Sequence, residues 1–371
     1  MLGKIKRLAS TVVGRSREPE PDPEEVRQRA LPATGDVTDE EISLIVPILK
    51  RVIAGPLAIR ESIQKHGVNV LPIDYRVDTP SIEEIRSSFE YANGGVPPYL
   101  NEKVFNARKM AGVLKRISKY AEEFRPDVEG NDATNEGFYW NNPMFSYSDA
   151  IAYYCFIRHY RPKTIVEIGS GHSTRIALEA TRRNGLGKIV CVEPYPRAFL
   201  KNNRDIELIA RPAQAITVAD LDRWLCEEGD FLFIDSTHMV KTGSDCAHIY
   251  LRLLPRVRRR IVVHAHDIFL PFGMPQTWAL EQQISWTEQY LLFALLIDNP
   301  RASVLFGSAY HDVFSKIALA AMMGGKYPSG GGSLWFDYNP DKRLKLLAPV
   351  AGRFRNLAKG AKTVFRGRKR G

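Results

Sequence analysis

The run Glu167-Ile168-Gly169-Ser170-Gly171-His172-Ser173-Thr174 carries two glycines that let the backbone pass close to a ligand, followed by hydroxyl side chains suited to capping a helix. Glu193 comes 22 residues after Gly171. An acid at that spacing suits a two-pronged grip on a ribose diol. A second group, Asp235, His238, His266 and Asp267, offers carboxylates and imidazoles, the side chains of acid–base and metal chemistry. The bland alternative for the first run is a tight strand–helix turn with an incidental acid; for the second it is hydrogen-bonded scaffold that orders loops.

Two details bear on the ligand of the glycine run. A dinucleotide loop wants a third glycine and a helix N-terminus facing pyrophosphate, whereas the third place here is Thr174. Glu167 is expected to set a carboxylate at the mouth, which repels phosphate. Such an acid suits a ligand with an ammonium group and no phosphate. S-adenosylmethionine (SAM), with its aminoacyl end, sulfonium and ribose, is such a ligand, and NAD is the weaker reading.

The second group admits three uses. Asp235 and Asp267 supply hard oxygens for Mg2+ or another divalent cation, with His266 as a third ligand, and such an ion would lower the pKa of an acceptor hydroxyl. Without metal, a histidine takes the hydroxyl proton as general base, His238 being the first choice and His266 the second. The third use is scaffold alone. His264 shares a strand face with His266 by the period of two and is expected to be a buried, satisfied histidine.

These residues need a frame. TIVEI (164–168), KIVCVE (188–193), IELIA (206–210), DFLFID (230–235) and RIVVHAHD (260–267) are short apolar runs with helical stretches between several of them. Strands alternating with helices predict right-handed crossovers and a parallel sheet buried on both faces. A helix at 286–297 leads to SVLFGS (303–308), and SLWFDY (333–338) offers a last, antiparallel strand. The expected fold class is α/β, doubly wound, with the site residues at strand C-terminal ends. Ahead of it, Ile42, Ile45, Val46, Leu49, Val52 and Ile53 recur at helical spacing within 38–66, and a second helix is predicted over about 103–123. Tyr139, Trp140 and Tyr147 either close over the adenine or acceptor or form a seam joining this region to the sheet.

With those residues in view, the chain resembles class I SAM-dependent methyltransferases. The resemblance rests on E-I-G-S-G-x-S-T (167–174), V-E-P (192–194), F-I-D-S-T-H (233–238) and H-x-H-D-I-F-x-P (264–271), and covers about 135–338. More narrowly, it resembles a bacterial group often found among tailoring and polysaccharide genes, which D-A-x-x-Y-Y (149–154), W-x-E-Q-Y-L-L (286–292) and G-G-S-L-W (331–335) also look like. The resemblance implies a Rossmann-like, seven-stranded, mostly parallel sheet. It implies SAM held by Glu167, Gly169, Ser170, Gly171, Ser173 and Thr174, with Glu193 on the ribose, Gln214 nearest the adenine and Asp235 beside the cofactor. It further implies O-methylation of a sugar, glycan or related hydroxylated small molecule. The competing readings are a metal-dependent hydrolase or oxygenase built on His264, His266 and Asp267, and a non-catalytic SAM-binding protein at a membrane.

Composition narrows the rest. The chain has 371 residues, 44% hydrophobic, enough for a sizeable core, and no apolar run approaches a membrane span. The first residues lack the apolar stretch of a secretory signal. Four cysteines, with no C-x-x-C, suit a reducing cytoplasm. The net charge of +10 is concentrated at the end: residues 341–371 hold eleven of the 52 Lys/Arg and one of the 42 acids. Leu347, Val350, Phe354, Leu357, Ala361, Val364 and Phe365 recur there at helical spacing among bases. A basic amphipathic helix suggests peripheral attachment to an anionic membrane surface, while the neutral body offers no basic groove for nucleic acid. The expected organisation is a disordered segment over 1–35, a helical cap over 36–135, the SAM-binding domain over 136–340 and the basic tail.

Overall fold

The structure, a computed structural model, describes residues 37–73, 77–131, 137–145, 147–325 and 327–342. The basic amphipathic helix expected at 344–366 and the segment 1–35 lie outside the described residues. By contact density the chain divides after Ser81. In the first unit the expected helix is present as Asp39–Ala54 and Leu57–Gln64, interrupted at Gly55-Pro56. Thr38 and Glu41 close a reciprocal capping box at its start. Of its apolar positions only Val52 is buried.

The second unit contains one seven-stranded sheet. Its strands are β1 (Thr164–Ile168), β2 (Lys188–Val192), β3 (Ile206–Ile209), β4 (Phe231–Ile234), β5 (Ile261–Ala265), β6 (Ala302–Gly307) and β7 (Leu334–Tyr338). They lie in the order β3-β2-β1-β4-β5-β7-β6. The first five are parallel, and β7 runs antiparallel between β5 and β6. This is the doubly wound, Rossmann-like, seven-stranded and mostly parallel sheet that the resemblance implied. The five runs of apolar residues became strands because β-branched and aromatic side chains fill both faces. Val166 and Ile168 of β1 pack into one core layer and Ile165 into the other. Each such buried side chain contributes roughly 1.5–3 kcal/mol of transfer free energy before chain entropy is counted.

The order reverses at β1, whose neighbours are β2 on one side and β4 on the other. Ligands of open α/β sheets bind beyond the strand C-termini at such a switch point. The helix Tyr147–Tyr160 is buried from Ser148 through Ile157 and covers one face. The segment after β4 changes pitch, from helix Asp245–His248 to a π turn Ile249–Leu253 to a short 3-10 turn. The π turn, a feature frequent at functional sites, carries the buried Tyr250. Among the described residues no helix is long and apolar enough to cross a membrane.

Candidate active site

The backbone ladder continues one residue past each of the central strands. Gly169 N–H donates to Val192 O (2.9 Å), Asp235 N–H to Ile168 O (2.8 Å), His266 N–H to Ile234 O (2.9 Å) and Glu193 N–H to Ile209 O (3.1 Å). Gly169, Glu193, Asp235 and His266 therefore stand side by side along the C-terminal edge. The close approach demands the first glycine: Gly169 has φ +85°, and a Cβ there would sit 1.6 Å from the Asp235 carbonyl oxygen. Gly171 is different. A Cβ there meets nothing within 4 Å, so the loop leaves open space beside it.

Glu167 overturns an expectation. Its side chain is wholly buried because β1 alternates, and the face it shares with Ile165 is covered by helix. The Tyr153 hydroxyl donates to its Oε1 at 2.8 Å, and the Thr174 hydroxyl to its Oε2. Burial raises its pKa to about 7, partly offset by the hydroxyls of Thr174, Tyr153 and Ser173. Glu167 is thus a buried anchor beneath the loop and does not set a charge at the mouth. Ser173 and Thr174 are buried with their hydroxyls on Glu167. They neither face a ligand nor cap: the helix His172–Asn184 has Gly171 at its N-cap with no side-chain cap bond.

The acids at the opening are Glu193 and Asp235, both part-exposed. Glu193 Oε2 accepts the Ser170 N–H at 3.2 Å, and Oε1 accepts the Tyr195 N–H at 2.8 Å. The loop amide that would greet a phosphate is therefore already given to a carboxylate. Gln214 is exposed and bridges two loops, its Nε2 donating to Gly243 O at 3.2 Å.

At the ends of β4 and β5 charge is denser. His238 Nε2 lies 3.3 Å from Asp235 Oδ1 and 3.6 Å from Asp267 Oδ2, while its Nδ1 lies 2.8 Å from Glu288 Oε2. His266 Nδ1 lies 3.4 Å from Asp235 and 3.6 Å from Asp267, and its Nε2 lies 3.4 Å from Asp149. His238 and Asp267 both adopt positive φ (58° and 53°), which is uncommon outside glycine and clusters at functional sites. Burial disfavours charge on His238, but Asp235 and Glu288 outweigh it and raise its pKa to about 10. Burial likewise opposes charge on His266, and the carboxylates of Asp267 and Asp235 carry it well above the ordinary value. Burial works against the Asp235 carboxylate too, yet the two imidazoliums hold its pKa low, whereas burial keeps that of Asp267 raised. The surrounding carboxylates therefore favour the protonated form of both histidines over the neutral form that a general base requires.

Metal-ligand geometry selects a set that differs by one residue from the expected one. Among the described residues, Asp235, His238 and Asp267 offer ligand atoms within 4.8 Å of one another, so His238 takes the place foreseen for His266. Two carboxylates and one imidazole fit a divalent cation. His264 stacks on Trp335 (4.0 Å, 15°) and pairs through Nε2 with Ser333 Oγ at 2.7 Å. It is buried as expected but only half satisfied, since its Nδ1 has no hydrogen-bond partner, and among the described residues it is absent from that set, so the hydrolase constellation of His264, His266 and Asp267 does not appear as a ligand cluster.

Two acids escaped sequence reasoning. Asp149 accepts the N–H groups of Gly332 (2.9 Å) and Ser333 (3.1 Å) and the Ser308 hydroxyl while facing His266. Glu288 is 1% exposed and holds His238. Both sat in motifs quoted above, but an acid in the first turn of a helix reads as a dipole partner. Trp140 belongs to a seam with Phe124 and Tyr327, and Tyr139 packs on His172. Tyr147 is exposed.

Comparison with known proteins now has a geometry to meet. A curated relative, an uncharacterized protein of Archaeoglobus fulgidus, is 42% identical over 88 residues. The match covers 22% of this chain and 40% of that protein, so the chain spans well under half of the relative's length. Among solved structures, a Klebsiella pneumoniae protein described as an O-methyltransferase overlaps 61% of this chain and 89% of its own, at 13% identity and a TM-score of 0.33. Coclaurine N-methyltransferase, bound to N-methylheliamine and SAH, overlaps 85% and 98% at 12% identity and a TM-score of 0.29. Residues 166–268 match the family model described as "Methyltransferase domain". That match runs from β1 to just past β5 and so takes in the glycine loop, Glu193, Asp235, His238, His266 and Asp267.

Proposed function

We propose that this chain is a SAM-dependent methyltransferase acting on an oxygen of a sugar, glycan or related hydroxylated small molecule. The observation that supports it most is the Ser170 N–H donated to Glu193 beside an open Gly171. An acid covers the place where a dinucleotide would set its phosphates, while the uncrowded loop backbone admits a nucleoside. Glu193 is the ribose partner in this reading, and Gln214 lies on the loop after β3, on the adenine side.

When bound, SAM supplies a methyl group on a sulfonium, open to in-line displacement. The protein's part is to align an acceptor oxygen with that methyl and receive the hydroxyl proton. Asp235 joins the two tasks, since its carbonyl abuts Gly169 and its carboxylate meets both imidazoles. With the histidines already protonated, the proton goes to a carboxylate, and Asp267, whose pKa is raised by burial, suits that role. A divalent cation held by Asp235, His238 and Asp267 would polarise the hydroxyl and require His238 Nε2 to release its proton. Trp286 packs on His238 (4.4 Å) and Trp278 on Trp286 (5.5 Å), giving the acceptor side an aromatic wall suited to a sugar face. The basic tail, by its composition, favours an anionic membrane surface on the cytoplasmic side.

The test uses full-length protein with methyl-tritiated SAM and fractionated cell glycans, with and without EDTA. Label transferred to a glycan fraction is expected, and its loss with EDTA assigns the cation. No transfer to any fraction, from protein that binds SAM, would leave a non-catalytic SAM-binding protein instead. Sedimentation with anionic liposomes tests the tail: loss of binding on deletion of 341–371 is expected, and unchanged binding contradicts it.

A further inference from the structure

We infer that Glu288 is a positioning residue: it accepts a hydrogen bond from Nδ1–H of His238 and so turns Nε2 onto Asp235 and Asp267. The inference rests on the acceptor-site reading above and names what aims that site.

Glu288 is a buried carboxylate with each oxygen engaged. Oε2 meets His238 Nδ1 at 2.8 Å, and Oε1 accepts the Tyr250 hydroxyl at 2.6 Å. The same short segment grips the histidine backbone. The N–H groups of Thr287 and Glu288 both donate to His238 O at 3.0 Å, and Thr287 Oγ1 accepts the Val240 N–H at 2.7 Å. Trp286 closes the ring's side at 4.4 Å. Ring and backbone of a residue in a sparsely populated conformation (φ 58°) are therefore fixed by three consecutive positions. An imidazole bonded only through Nε2 can rotate about its ring bond. With Nδ1 tied to a buried acid it cannot, which is how carboxylates orient ligating histidines from behind. Tyr250, carried by the π turn, fixes the acid in turn.

The test titrates Mn2+ into full-length wild type, Glu288→Gln, Glu288→Asp and Tyr250→Phe by electron paramagnetic resonance. SAM calorimetry and thermal melts run in parallel. Glutamine leaves one acceptor oxygen for the two donors. Glu288→Gln is expected to weaken Mn2+ binding 10–100-fold, with SAM affinity within about twofold in protein that stays folded at a lowered melting temperature. Glu288→Asp is expected to recover part of the loss, and Tyr250→Phe to lose less than Glu288→Gln. Wild-type Mn2+ affinity in Glu288→Gln overturns the inference. So does joint loss of Mn2+ and SAM binding, which marks a structural ion pair. If wild type takes no Mn2+, the 15N resonance of His238 Nε2 decides: a shift in Glu288→Gln supports the role and an unchanged one overturns it. Absence of SAM heat in wild type is a failure of the methyltransfer reading and is seen separately from the Mn2+ arm.

Discussion

The two halves of the crevice are built by different means. Over β1 and β2 the site is backbone: a glycine forced by the neighbouring strand, an amide given to Glu193, and an acid, Glu167, buried beneath the loop. Over β4 and β5 it is side chain: two imidazoles among four carboxylates, with two non-glycine residues at positive φ. A backbone-built site is set by sterics, whereas a charge-built site is set by mutual pairing. The first should therefore break on added volume and the second on lost partners.

The largest effect falls on the glycines. Gly169→Ala places a methyl into Asp235 O at positive φ and should cost at least ~3 kcal/mol. Gly171→Ala should leave the melt unshifted and weaken SAM binding, because its Cβ points into open space. Equal melting temperatures for the two variants would undo the contrast. In the other half, His238→Ala strips Asp235 and Asp267 of the imidazole that pairs with them and should cut tritiated methyl transfer by roughly 10–100-fold while SAM affinity stays within about twofold. Full activity would put the chemistry elsewhere.

Acidity separates the halves more finely. Glu167 has a folded-state pKa of about 7, above its ordinary 4.5, so the folded state holds the proton more tightly. Stability should fall as pH rises from about 4.5 to 7, by on the order of 3 kcal/mol. Melting curves of Glu167→Gln should lack that slope; an unchanged slope would place its source elsewhere. His238, raised to about 10, adds stability that is full below about 6.5 and lost as pH climbs to 10, a second slope that His238→Ala should remove.

Much of this frame was legible in the residues. All seven strand runs are strands, the last antiparallel as expected, because buried strands in this fold are continuous apolar runs bounded by turns. Gly169, Glu193, Asp235, His238, His266 and Asp267 do meet at one edge, since strand ends converge. Which way Glu167 points was read wrongly. A strand-end acid looks like a mouth residue until the covering helix supplies Tyr153, 14 positions earlier, as its partner. The protonation of His238 was equally hidden. It depends on Asp235, three residues earlier, and on Glu288, 50 residues away, and no local pattern announces the second pairing.

The most direct measurement is calorimetric titration of SAM, and of NAD in parallel, into full-length wild type and Glu193→Ala. The account predicts SAM heat with wild type, roughly 10–100-fold weaker binding in the variant at an unshifted melting temperature, and none with NAD. NAD binding by the wild type, or SAM binding indifferent to Glu193, would contradict it.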